Sequence, residues 1–452
     1  MTEDLLELLD RVVAQAHPDE AVEAFGVDET ETTVRAYGGQ VETLSSARTR
    51  GMGIRVITEG RMGYAYTADL TEGALAETLE AARTNATVAT SEDANRLPEP
   101  PVGGVLPDIP ALYDDAFAEV RPETKVELAL RLEAAVRSAG GAIRGVDTAQ
   151  YGDGERTAAI ASTTGVRGAS RRCDAFCLVE ALAEADGATA SAYGLSLGRL
   201  PHEVDVEAAA AEAVGRVTRL LGGRKPPSGA IPVIMDPFAA VSFLGVLAGA
   251  LTAEAVQKGR SLFAGRVGEE LGGAHLSLVD DGSLIDGPAA APWDGEGVPT
   301  GPTTLIERGV LRGYLHNTYT AAKDGTVSTG NASRSGYKSP PGLSPSNLYL
   351  APGSITPAGL FAQAGTAFYC QNVLGVHSGA NPISGDFSVG ANGLMIRDGA
   401  LAEPVREATI AGTIPTMLTG LVAVGSDLRW LPFEGGVGAS TLLLEGMTLG
   451  GS

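Results

Sequence analysis

From Gly375 to Ile396 glycines alternate with polar side chains too densely for a helix, and this stretch closes a long run of strands and turns. Asn381-Pro382 and Ser384-Gly385-Asp386 are turn chemistry, whereas Phe387 and Leu394-Met395-Ile396 read as strand returning to a core. On residue chemistry such a stretch is either punctuation between strands or a surface that holds a peptide or polar ligand. The chain has 60 glycines in 452 residues, which favours strands and turns over helical bundles. Its length implies two or three domains.

Taken in order, the chain opens with a helix in which Thr2 is the expected cap and Leu5, Leu9 and Val12 share a face, ending near His17-Pro18. Strands are expected at Ala21 to Val27, Thr33 to Tyr37, Val41 to Leu44, Gly53 to Ile57 and Met62 to Thr67, with hairpins at Gly38-Gly39 and Glu59-Gly60. Asp69 with Glu72 has the capping-box spacing and opens a helix through Leu75, Leu79 and Ala82. A first α/β module is thus expected over residues 1–96, and a Pro/Gly-rich linker over 97–120. The central α/β module, 121–223, has a helix from Pro122, strands at Ala142 to Val146, Thr157 to Ser162, Arg172 to Glu180 and Thr189 to Leu195, and a helix capped by Asp205. Beyond Gly222 to Gly229 a C-terminal β-rich domain, 230–452, opens with strand Ile231 to Met235 and a short apolar helix, Phe238 to Leu251, started by Asp236-Pro237. Later strand candidates are Leu276 to Val279, Thr303 to Ile306, Val310 to Leu315, Leu348 to Leu350, Phe368 to Val376 and Thr441 to Leu444. The fold class is α+β: N-terminal α/β modules followed by a large strand-rich, barrel-like domain.

The formal net charge of −22, from 33 Lys+Arg against 55 Asp+Glu, leaves no basic face for nucleic-acid phosphates. No apolar run is long enough to cross a membrane and the first residues are acidic, so a cytoplasmic protein is expected. Cys173, Cys177 and Cys370 read as buried free thiols. Gly194-Leu195-Ser196-Leu197-Gly198 matches a serine-nucleophile pattern, but Pro201 follows closely and no helix springs from the serine. Asp280-Asp281-Gly282 and Asp294-Gly295-Glu296-Gly297 are fragments of calcium loops without the full ligand spacing and read as turns. The histidines are dispersed; His377, with Asp386 and Cys370 nearby in sequence, leaves open whether the three converge.

Together with Thr329 to Arg334 and Ser346 to Leu350, the Gly375 to Ile396 stretch resembles the C-terminal signature of the TldD/PmbA family, peptidase subunits that act on small or unfolded peptides. The resemblance implies that in the catalytic subunit the helix at Phe238 to Leu251 carries His-Glu-x-x-x-His, a zinc site completed by a cysteine near the C-terminus. Registered on Lys258-Gly259-Arg260-Ser261, those positions are Leu244, Gly245 and Gly249, none of which can bind a metal or take a proton, and Gly435 to Ser440 contains no thiol. The resemblance therefore implies a PmbA (TldE)-like subunit with no metal or cofactor of its own, zinc being expected in a TldD-like catalytic partner. The alternatives are a self-sufficient homodimeric peptidase or hydrolase with an unrecognised site, and a non-proteolytic modulator or binding protein. For contact with an extended peptide or a partner, the candidates are Asn331, Arg334, Asn381, Ser384, Asp386 and Ser388, polar side chains among glycines. Arg334 is expected to pair bidentately with a peptide carboxylate.

Overall fold

The N-terminal half repeats one pattern, a helix, three strands and a second helix. The first copy is α1 (Thr2–Val13), β1 (Ala21–Tyr37), β2 (Gln40–Thr58), β3 (Arg61–Thr67) and α2 (Glu72–Val88). The second is α3 (Pro122–Ser138), β4 (Ile143–Ser162), β5 (Arg167–Ala185), β6 (Ala188–Gly198) and α4 (Val206–Arg219). The computed structural model describes residues 2–185, 187–431 and 436–451, with the backbone alone for residues 2 and 3, so the capping expected of the Thr2 side chain lies outside the described residues. All six strands form one antiparallel sheet in the order β3-β2-β1-β4-β5-β6, so the segments read as two modules are joined through β1 and β4.

Alternation along the strands explains the layers. Val22, Ala24, Met52 and Ile54 face α1 and α2, which bury Leu5, Leu9, Leu75 and Leu79 against them. Val34, Tyr151, Cys177 and Val179 face α3 and α4, which contribute Leu128, Leu132, Ala210 and Val217. The opposite face holds Phe25, Val27 and Ile160 against Trp293 and Tyr337 of the C-terminal half. Several strands are longer than the sequence suggests: β1 is unbroken from Ala21 to Tyr37, and β2 and β4 each unite two expected strands. Two-sided pairing satisfies the backbone of polar positions such as Glu29 and Glu31 that read as a break. The capping box is also corrected, because Thr71 holds the cap position of α2 and the Asp69 carboxylate instead accepts from the Thr71 amide at 2.9 Å.

The C-terminal half runs β7 (Gly229–Ala230), β8 (Val233–Met235), α5 (Pro237–Ala250), α6 (Ala253–Gln257), β9 (Leu278–Asp281), β10 (Pro302–Glu307), β11 (Val310–Leu311), α7 (Thr318–Asp324), β12 (Ala332–Ser333), β13 (Gly342–Leu343) and β14 (Leu348–Leu350). It continues with α8 (Pro357–Ala364), β15 (Ala367–Leu374), α9 (Val376–Gly379), β16 (Asp386–Arg397), β17 (Ala400–Thr413), α10 (Ile414–Thr419), β18 (Leu421–Val424), β19 (Arg429–Leu431), β20 (Val437–Ala439), β21 (Leu442–Leu444) and β22 (Thr448–Gly450). An eight-stranded sheet, β18-β21-β8-β15-β16-β17-β22-β7, curls into a half-barrel, and a six-stranded sheet follows the order β11-β10-β9-β14-β20-β19. Helix α5 starts where Asp236 accepts from the Phe238 amide at 3.0 Å, and its apolar surface shares one core with both sheets. Asp280-Asp281, expected as a turn, belongs to β9. Among the described residues no helix is long and apolar enough to cross a membrane.

Candidate functional site

On α5 the three positions of the expected zinc motif point to different surroundings. Leu244 is 0% exposed in the core, Gly245 is half-buried, and Gly249 is exposed with open space where a side chain would begin. A hydrocarbon and two bare backbones offer no donor, so this set does not fit a zinc ion. Of the stretch expected to supply a cysteine, Gly435 lies outside the described residues, β20 is apolar, and the buried Ser440 hydroxyl has no partner among the described residues. No group of three His, Cys, Asp or Glu side chains capable of holding a metal gathers among the described residues.

The six candidate contact residues fall into two places. Asn381, Ser384, Asp386 and Ser388 are exposed at and beside the turn that enters β16. There Asn381 Oδ1 accepts from the Ile383 amide at 2.8 Å, and the Ser384 hydroxyl donates to Asp386 at 2.6 Å. His377 and Cys370 do not join Asp386: His377 is exposed on α9, while Cys370 is buried in β15 with its thiol raised by burial first and by the Asp236 charge second. All three cysteines are free and buried.

Asn331 and Arg334 lie instead where the open face of the N-terminal sheet meets the C-terminal loops. Asn331 is buried, donating to Asp280 at 2.6 Å and accepting from Thr329 at 2.6 Å. Arg334 donates to the Gly295 carbonyl at 2.6 Å, to the Ser339 carbonyl, and to Glu23. Its guanidinium is thus engaged inside the protein, which corrects the expectation that it takes a peptide carboxylate. Glu23 in turn binds Arg55 at 2.6 Å, and Arg55 binds Glu296 at 2.9 Å, giving a buried chain of alternating charge, Arg334–Glu23–Arg55–Glu296. Burial opposes ionisation of Glu296, but Arg55 and the Thr318 amide hold its carboxyl below the ordinary range. Asp294 goes the other way, pushed up by burial and by the Glu296 charge despite hydrogen bonds from the Glu296, Val298 and Ala332 amides. The segment read as a calcium-loop fragment is therefore part of the junction between the halves.

Beside this chain is a cavity of about 290 Å³, bounded by Phe25, Arg156 and Arg172 on the sheet and by Trp293, Asn331 and Arg334 on the loops. Arg172 is held by Asp174 at 2.6 and 2.8 Å and by the Pro288 and Ala290 carbonyls. Arg156 Nε and Trp293 Nε1 are buried without a hydrogen-bond partner among the described residues. Sequence reasoning missed Glu23, Arg55, Arg156 and Trp293. Their only trace was an acidic pair, Asp294 and Glu296, beside a tryptophan; partners 241 residues apart, such as Arg55 and Glu296, leave no local pattern.

An α+β fold in which a repeated antiparallel sheet docks on a half-barrel with a buried apolar helix defines a recognisable class. Matches to the PmbA/TldA metallopeptidase domain 1 over residues 22–86, the central domain over 115–221 and the C-terminal domain over 228–451 show that the chain belongs to the PmbA/TldD family. It is 28% identical over 410 residues to the metalloprotease PmbA of Escherichia coli O157:H7, covering 88% of this chain and 86% of that one. A crystal structure from Thermotoga maritima MSB8, described as a candidate modulator of a DNA gyrase, superposes with a TM-score of 0.89 at 28% identity, covering 99% of each chain. TldE from Thermococcus kodakarensis shares the fold, with a TM-score of 0.87 at 21% identity over 99% of each chain.

Proposed function

We propose that this chain is the subunit without a zinc site in a two-subunit peptidase of the PmbA/TldD type, and that it presents small or unfolded peptides to a zinc-bearing TldD-like partner. The observation that carries this reading is the chemistry of α5, where the positions that the resemblance assigns to the two histidines hold Leu244 and Gly249 and the one that it assigns to the glutamate holds Gly245. A peptide would be held in extended form by backbone hydrogen bonding, with the exposed turn of Asn381, Ser384, Asp386 and Ser388 facing peptide or partner. Free cysteines fit a reducing compartment, and the cytoplasm is the proposed location.

The purified chain is expected to retain no stoichiometric zinc by metal analysis and to cleave no unstructured peptide. Mixed with a TldD-like paralogue, it is expected to form a complex whose cleavage stops on addition of a chelator. Cleavage by the isolated chain would replace this reading with a self-sufficient homodimeric hydrolase. A stable mixed complex that cleaves nothing would point to a non-proteolytic modulator.

A further inference from the structure

We propose that the cavity of about 290 Å³ binds the terminal carboxylate of a short peptide through Arg156 and Trp293. This rests on the peptide-presenting reading above and names the end of the peptide that is recognised. Arg156 of β4 stands directly opposite Arg172 of β5, and Glu29 of β1 stands opposite Arg156 on its other side. Like charges facing each other across a sheet repel, so an anion between the two arginines is favoured. Arg172 already has its oxygen partners, whereas Arg156 feels the Glu29 and Glu31 charges only at a distance, with no described carboxylate close enough to form an ion pair. Trp293 is 5% exposed, so its unpartnered N–H is a buried donor waiting for an acceptor. Two orphaned donors line one cavity and one of them is a cation, which favours an anionic acceptor over a neutral carbonyl, and the anion that every peptide supplies is its terminal carboxylate.

The neighbouring space favours a peptide over a free inorganic anion. Arg172 also lines a second cavity, of about 810 Å³, whose other walls include Phe176, Leu178, Leu197 and Ile285. The smaller cavity lies at the low end of ligand sites, roughly 300–1,000 Å³, and suits a chain end, while the larger one has room for the side chains that precede it.

Isothermal titration of the full chain with the tripeptide Ala-Ala-Leu and with its C-terminal amide tests the assignment. The acid is expected to bind at least tenfold more tightly than the amide, and Arg156→Gln to abolish that preference. Trp293→Phe keeps the ring and removes the N–H, and is expected to weaken the acid several-fold while leaving the amide unchanged. Equal binding of acid and amide, no binding of either, or an unaltered preference in both folded variants overturns the site. Phosphate displacing the tripeptide from the wild type but not changing with Arg156→Gln does the same. Because the titration uses no partner and no cleavage, loss of the acid preference together with intact cleavage by the mixed complex removes only this site. The converse removes only the two-subunit reading.

Discussion

Glu23 gives one carboxylate oxygen to Arg55 and the other to Arg334, and neither arginine is more than 5% exposed at its side chain. Taking one member from such a chain strands a buried charge, which costs far more than the pair itself contributes. Arg55→Met is therefore expected to destabilise the protein by about 3–5 kcal/mol in urea denaturation, because Glu23 and Glu296 both lose their shared cation. His316 sets a different residue-scale test. It is 7% exposed, its Nδ1 has no partner among the described residues, and burial holds its imidazole below the ordinary value of 6.5. The unfolded chain then binds the proton more readily, so this residue's contribution is complete above about pH 6.5 and declines as the pH falls below it. His316→Gln is expected to flatten the fall in stability between pH 7 and pH 5, measured by urea melts at each pH.

At the level of elements, the two copies of the helix–sheet unit use glycine in the same way. A Cβ at Gly63 in β3 would strike the Ala82 carbonyl of α2, and one at Gly194 in β6 would strike the Ala209 carbonyl of α4. Helix backbone lies directly on edge-strand backbone at both places, so Gly63→Ala and Gly194→Ala are each expected to cost about 1–3 kcal/mol by overpacking. Gly249 in α5 is the contrast, since a Cβ there meets nothing within 4 Å. Gly249→Ala is expected to stabilise by about 0.5–1 kcal/mol, measured as a raised urea midpoint. The glycine pattern was legible where it set local geometry, as in the Gly38-Gly39 and Glu59-Gly60 turns, and the Asp236-Pro237 cap was legible at the start of α5. The glycine pattern was illegible at Gly194, which stood out only as part of a serine pattern in the wrong context; there Ser196 accepts from the Asp205 amide at 3.0 Å. The pairing of β1 with β4 was likewise hidden, because register between segments more than a hundred residues apart is set by the whole sheet. Asn331 and Arg334 were expected to contact a peptide or a partner, and that they would instead bind Asp280 and Glu23 depended on contacts that spacing does not encode.

Across the whole molecule, one sheet serves two purposes: its helical face completes the N-terminal core, and its open face supplies half of the junction with the C-terminal domain. β1 carries both, with Val22 and Ala24 turned to the helices and Glu23 and Phe25 turned to the loops. Loosening the junction exposes Glu23, Phe25 and Trp293 together, so the two halves are expected to unfold as one unit despite a length that favours independent domains. Trp293 sits in that junction and Trp430 lies in β19, so in a Trp430→Phe background fluorescence reports on the junction alone. In that background the fluorescence and far-UV circular dichroism transitions in urea are expected to coincide. Adding Arg55→Met removes the cation that bridges Glu23 of the sheet and Glu296 of the loops, leaving Glu296 buried without its cation and Glu23 with Arg334 alone. The drive to hydrate the stranded Glu296 charge opens the junction before either core melts, so the fluorescence midpoint is expected to fall below the dichroism midpoint. Coincident transitions in both proteins would mean that Phe25, Ile160 and Trp293 hold the halves together without the buried charges.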